Sequence, residues 1–457
     1  MKHLLLSLLL LLPLLSQAQR IVTVNPGDTV VIVAAKPIST TTISAPDTNT
    51  ISKPDTVAIS KPTPTPAPKP AQRQWVPKFT ISKPGMYDGA SIGVKPGDTI
   101  GVAGTLSNLI LRNVKGAPGK PVVILNYGGV ATIRGKTQNN GNLSMQGCAF
   151  IKFSGSGVDS IRYGFRIGSE WKDVSALVLS NKTTNVEIER VEIDTSGFAG
   201  IMAKTDPAKG DPSTWLGNFV MQDLSIHDCY VHDTRGEGLY IGNSFWNGGM
   251  NGLYPHEIHG LQVYNNLIER AGCEGIQYSC SPDASVHHNT VRVTGISPFS
   301  NAQNAGVQIS GGSSGTFEHN TIEGAAGIGL IVVGACRAGD TLHIRNVLVK
   351  NSNVFAGTDK LPAETAGVFC DERGTPPGIG VGGLLVFENV TVDGARLDGF
   401  RLYNEKMQNV IRQSVIRNFT RFAVDRSPKT VPVSESGNVV GNGAVPVGVG
   451  YQENKQQ

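Results

Sequence analysis

Val263-Tyr-Asn-Asn266-Leu-Ile268, Val286-His-His-Asn289-Thr-Val291 and Phe317-Glu-His-Asn320-Thr-Ile322 repeat one pattern: apolar, two polar residues, asparagine, a variable residue, apolar. A second half follows, an acidic or small residue, then glycine, then alternating apolar positions. It reads Glu237-Gly-Leu-Tyr-Ile241, Glu274-Gly-Ile-Gln-Tyr278, Ala305-Gly-Val-Gln-Ile309, Ala366-Gly-Val-Phe-Cys370 and Asp398-Gly-Phe-Arg-Leu402. Ile188-Glu-Arg-Val191-Glu-Ile193 and Ile226-His-Asp-Cys229-Tyr-Val231 are earlier copies in which the asparagine is replaced. The asparagine recurs after 23 residues (266 to 289) and then after 31 (289 to 320). A variable period of this size, made of short β-branched runs and glycine turns, predicts a solenoid. No 3.6-residue periodicity interrupts it, which excludes helical repeats.

The physical form such a repeat takes is an all-β parallel β-helix, whose coils stack at the inter-strand spacing of ~4.8 Å. Asparagine suits one turn because it tolerates left-handed backbone and because its amide can bond the asparagine of the next coil. In this frame Cys229 and Val191 share that turn column, and Cys370 points inward like Ile241 and Ile309. The six cysteines are few and scattered for a chain able to build a large core, so buried free thiols are expected over a disulfide framework. A Cys273–Cys280 pair is the alternative.

Outside the repeats, Met1-Lys-His3 and a leucine run through Leu15, closed by Ser16-Gln-Ala18, form a secretory signal peptide at 1–18. No other stretch is long and apolar enough to span a bilayer. Residues 19–35 are expected to hold two short strands around a Pro-Gly-Asp turn, and 36–78 a Pro/Thr/Ser-rich spacer. The β-helix is expected over 79–445, with a tail at 446–457. Charged residues are 17% of the 457, with net charge +4. That composition excludes a nucleic-acid binder, which needs a dense basic stripe. An exported, monomeric protein with a glycan partner is expected.

The opening Val94-Lys-Pro-Gly-Asp-Thr-Ile100, then Pro121-Val-Val-Ile124 and the Asn/Gly coils, resembles right-handed parallel β-helix proteins of the pectate-lyase-like superfamily. The resemblance implies a single-stranded right-handed β-helix. It also implies one of that group's activities: polysaccharide lyase, glycoside hydrolase, uronate epimerase, or non-catalytic adhesin. Locally, Tyr254-Pro-His256-Glu257 followed by Gly272-Cys-Glu-Gly275 is similar to mannuronan epimerases, with Tyr254 standing where that family has aspartate. Only His256 carries over by position.

Aligning the coils on Gly200, Gly238 and Gly275 places Ala199, Glu237 and Glu274 in one column, expected to face outward. Glu237 and Glu274 then stand about 5 Å apart, the separation of a retaining glycosidase pair. With Asp233 they are an alternative Ca²⁺ site. For β-elimination, Arg235 would neutralise a substrate carboxylate, and His232, His256 or Tyr240 would take the proton. Two insertions leave successive coils at one place and should rise side by side. They carry Trp215 in one, and Trp246 and Tyr254 in the other. These rings, with Tyr240, are candidate sugar platforms. A loop tryptophan lying over its own loop is the competing expectation. The leading expectation is a secreted carbohydrate-active protein that cleaves an acidic polysaccharide by β-elimination or hydrolysis. The alternative is a non-catalytic glycan-binding or structural surface protein.

Overall fold

The computed structural model describes residues 75–136, 141–300, 303–353, 365–373 and 380–451. The expected signal peptide, the 19–35 strands, most of the spacer and residues 452–457 lie outside them. The described residues belong to one unit, Pro70–Gln457.

Each coil is built from three short strands. In one coil these are Leu224–His227, Tyr230–His232 and Leu239–Ile241. The next coil repeats them as Gln262–Tyr264, Leu267–Glu269 and Ile276–Tyr278. Every strand pairs in parallel with its counterpart one coil on. First and second strands together form a 23-stranded sheet, and third strands form a 12-stranded sheet. The chain is a single-stranded right-handed parallel β-helix: the repeat predicts the stacked parallel coils, and the resemblance implies their hand. Its only described helical turn is a 3₁₀ turn at Pro212–Thr214.

The apolar positions of the repeat become continuous columns. Ile226, Val263, Val286, Phe317, Ile344 and Phe387 are in register and fully buried. Leu239, Ile276, Val307, Leu330, Val368 and Phe400 face them from the other sheet. All six cysteines are buried free thiols, with no Cys273–Cys280 bond. Cys370 stacks below Val332 and above Leu402, inside the tube. Burial pushes the Cys229 thiol up to about 12, so it behaves as an apolar side chain.

The asparagines stack as expected. Asn266 Nδ2 donates to Asn289 Oδ1 and Asn289 Nδ2 to Asn320 Oδ1, each at 3.0 Å. The same oxygens accept the backbone N–H of the preceding coil's asparagine, at 3.1 and 2.9 Å. The backbone part of the expectation needs correction, because the left-handed residue is the one before the asparagine. Arg190, Asp228, Asn265, His288 and His319 have φ between 53° and 55°. The kink turns the chain there, which leaves the following asparagine free to point into the wall.

The glycine column has a steric cause. A Cβ on Gly238 would lie 2.5 Å from the Gly275 carbonyl oxygen and 2.5 Å from Ile268 Cγ2. No side chain fits where the second turn of one coil crosses so close to the next.

Asn289 is 1% exposed and joins two coils, so its replacement orphans buried donors and an acceptor on both sides. Asn289→Ala should destabilise the protein by about 2–4 kcal/mol, read from urea unfolding with an unchanged slope. A loss under about 0.5 kcal/mol, the usual surface effect, would show that the ladder is ornamental.

Candidate active site

The two insertions stand side by side, as their common place in the repeat predicts. Leu216 N–H donates to Tyr254 O at 3.0 Å, and Asn243 Nδ2 donates to Thr205 O at 3.3 Å. Beyond them Val220–Gln222 pairs with Glu257–His259 as a small parallel sheet. The rings they carry are less available than expected. Trp246 is 1% exposed and packs over Gly312, whose missing Cβ would come within 2.6 Å of the indole. Trp215 is half-buried and its Nε1–H donates to Ala208 O in its own loop at 2.8 Å, the competing arrangement. Tyr254 is half-buried. Tyr240 is buried at 8% exposure, with the Lys204 ammonium 4.9 Å from its ring centre.

His256 is interior, at 0% exposure. Its Nε2 accepts the Thr205 N–H at 3.0 Å and its Nδ1–H donates to Glu257 O at 2.9 Å. Burial lowers its pKa, so it is a neutral ring that ties the two insertions together, with no nitrogen left for substrate.

Residues 232–237 are adjacent in sequence but separate across a turn. His232 sits on the outer face of the larger sheet, stacked on Tyr230 at 4.1 Å. Its ring nitrogens face Asp233 and Glu192 at 2.6 and 3.3 Å. Asp233 accepts two hydrogen bonds from Arg270, at 2.7 and 2.9 Å, which hold its carboxyl down at about 2. It is therefore engaged away from the Glu pair, contrary to the expected three-acid site. Arg235 pairs with Asp173 at 2.8 Å and lies over the Phe299 ring at 5.1 Å, with both partners at the surface. Downstream, Asp371 and Arg373 form a forked ion pair at 2.9 and 2.8 Å, a salt-bridged rim.

Glu237 and Glu274 are brought together, but in the wall and not on the outer face. They are 1% and 0% exposed. Cys273 joins them: one carboxylate oxygen from each acid and the thiol sulfur lie within 4.8 Å of one another, so the three form a candidate metal-ligand cluster. One oxygen of Glu237 and both of Glu274 are buried with no hydrogen-bond partner among the described residues. Burial, reinforced by the Glu237 charge, pushes Glu274 up to about 8, while burial alone raises Glu237. The pair is bracketed by an aromatic shelf. Gly236 packs on Phe198, which stacks on Phe299 at 5.8 Å and meets Tyr240 edge-on at 6.0 Å.

Cys273 and the two phenylalanines are absent from the expected site. Cys273 was legible as the neighbour of Glu274. Phe299 was legible in the longer repeat, because the segment Val293–Gly306 replaces the shorter Arg270–Gly275 and carries the extra residues of the 31-residue coil.

A family profile described as a right-handed beta helix region matches residues 178–349. Among solved structures, the chain is similar to an alginate lyase from Paenibacillus sp. str. FPU-7, with 12% identity over 79% of this chain and 99% of that one, TM-score 0.43. It is also similar to the periplasmic alginate epimerase AlgG, with 10% identity over 80% and 85%, TM-score 0.38. A third is the catalytic domain of a GH87 α-1,3-glucanase, with 10% identity over 79% and 64%, TM-score 0.44. At these identities the likeness is one of fold. Comparison with curated protein sequences gave no match. No helix among the described residues is long and apolar enough to cross a membrane.

The acid pair has a pH signature. A carboxyl whose folded pKa lies above its unfolded value binds its proton more tightly when folded. Its stabilising contribution is complete below the ordinary carboxyl value of about 4.5 and is lost as pH rises through about 8. Denaturant midpoints should therefore fall between pH 5 and 8, and Glu274→Gln should flatten that slope. Equal slopes in both proteins would show that Glu274 ionises normally.

Proposed function

We propose that the chain is an exported carbohydrate-active enzyme that hydrolyses an acidic polysaccharide at Glu237 and Glu274. One observation carries this reading: two carboxyl groups from adjacent coils meet with buried, unpartnered oxygens, and burial keeps one protonated near neutral pH. Unsatisfied buried acids are destabilising, and perturbed carboxyls of this kind cluster at functional sites. Glu274, holding its proton, is the general acid toward the glycosidic oxygen. Glu237 is the carboxylate nucleophile, and the short separation is that of retaining chemistry. The proton of Glu274 passes to the leaving sugar oxygen as Glu237 bonds the anomeric carbon. Water, deprotonated by Glu274, then releases the second product.

Arg235 at the rim would receive a substrate carboxylate, exchanging it for Asp173. The Phe198–Phe299 shelf supplies apolar ring faces for sugars, with the buried Tyr240 edge-on against Phe198. Substrate reaches the acids when the Phe299 segment moves aside, a gating step of the kind many enzymes use. His232, with its Asp233 and Glu192 partners, is assigned to the surface network and not to this chemistry.

Ca²⁺ is a poor match for these residues. That ion takes about 6–8 oxygen ligands, whereas the cluster offers two carboxylates and a soft thiol, with Asp233 held by Arg270. No step is assigned to it.

The burial of both acids favours a second reading, in which the shelf binds glycan without cleaving it. Purified protein assayed on uronate and neutral polysaccharides separates the two. New reducing ends without ultraviolet absorbance from a new double bond indicate hydrolysis, and binding with neither product supports the second reading. Glu274→Gln and Glu237→Gln should each lower the rate by about 10²–10⁴-fold with folding unchanged. A double bond in the product, or full activity in both variants, would overturn the assignment.

A further inference from the structure

Away from the acid pair, the repeats place an imidazole cluster on the outer face of the larger sheet. Three of the nine histidines, His287, His288 and His319, meet there. The kink before each ladder asparagine explains this. His288 and His319 are both kink residues, with φ of 55° and 53°, and their rings stack at 4.8 Å on successive coils. His287 is the last residue of its strand. It stacks on Tyr264 at 5.0 Å, one coil back, and stands at right angles to His288.

His287 Nδ1 and His288 Nδ1 lie 2.9 Å apart. Two imidazole nitrogens at ~2.05 Å from one ion span about 2.9 Å when the angle between them is a right angle, and about 3.3 Å when it is tetrahedral. The span is that of the hydrogen bond between the two rings, and it also fits the right angle, the preference of square-planar or tetragonal Cu²⁺ and Ni²⁺. We propose that His287 and His288 form a binding site for a tetragonal transition-metal ion, Cu²⁺ in first place by the general affinity order.

The neighbouring side chains leave the two Nδ1 atoms to each other. His319 faces His288 and accepts the Asn346 amide at 3.2 Å through Nε2, which fixes its own proton on Nδ1 and makes it a neighbour and not a ligand. Glu318, in register with His287 on the next coil, is engaged by Arg345 at 2.6 Å. Metal-free, one Nδ1–H donates to the other Nδ1. On binding, that proton shifts to Nε2 of its own ring, and both Nδ1 lone pairs turn to the ion. Water completes the plane, because His288 is exposed and His287 half-buried.

The test uses the untagged full chain, with His3→Ala alongside as a control for binding outside the pair. Calorimetric titration with Cu²⁺ should give one equivalent bound, and electron paramagnetic resonance should show a tetragonal centre with two imidazole nitrogens. His287→Phe keeps the stack on Tyr264, and His288→Asn keeps a residue that tolerates the left-handed kink, so both should fold. Each should weaken binding by at least ~10-fold, since even outer-shell losses cost that much. His343→Ala, on the same face, should leave binding unchanged. Undiminished affinity in either ligand variant, or a spectrum without imidazole nitrogens, would refute the site.

Discussion

Stacking coil on coil in strict register is the constraint from which the rest follows. A single coil cannot bury its apolar residues or satisfy its backbone, so each depends on a neighbour to supply both. Parallel pairing puts like residues over like, and that turns a sequence repeat into columns of Ile, Val, Phe and Leu inside the tube. Buried amides are satisfied in such a stack by forming a ladder, and the asparagine run from 266 to 320 is one: Asn266 donates to Asn289, and Asn289 to Asn320. Where the copy above is not an asparagine, a smaller substitute serves, as where the Ser414 hydroxyl accepts the Val390 N–H and Asn438 accepts that of Ser414.

The same register explains why acids from different coils meet. Glu237 and Glu274 need no fine positioning by loops, because the glycines that follow them pair one above the other and bring their side chains to a common depth. The energetic problem this creates is real. Two carboxyls share an apolar wall with a thiol, and the cheapest way to hold them near neutral pH is with one of them protonated. A proton held there is what the proposed acid chemistry would use.

The columns could be read from the sequence because period-2 alternation and the asparagine spacing are local signals. Val263, Val286 and Phe317 align as the pattern says, and the two insertions lie together because they leave the repeat at the same phase. What could not be read is the direction of side chains inside a turn. Alternation lapses where Asp233 and Arg270 take positive φ, so Glu237 rotates inward while Arg235 remains out. Trp246 escaped for another reason. Its burial depends on Gly312, which is 66 positions away in the chain and signals nothing about tryptophan. His256 likewise looked like chemistry because its partner Thr205 lies in a different insertion.

The left-handed residue before each ladder position carries a further consequence. Non-glycine residues in that conformation are strained by about 1–2 kcal/mol, and here the cost recurs in coil after coil while identity varies freely among Arg, Asp, Asn and His. Such a row works like a mounting rail: the backbone geometry is fixed by the scaffold, and whatever side chain is fitted is presented at one rung's pitch from the next. Surface chemistry can then be exchanged along the rail by single substitutions without disturbing the interior, as the histidine pair at 288 and 319 illustrates.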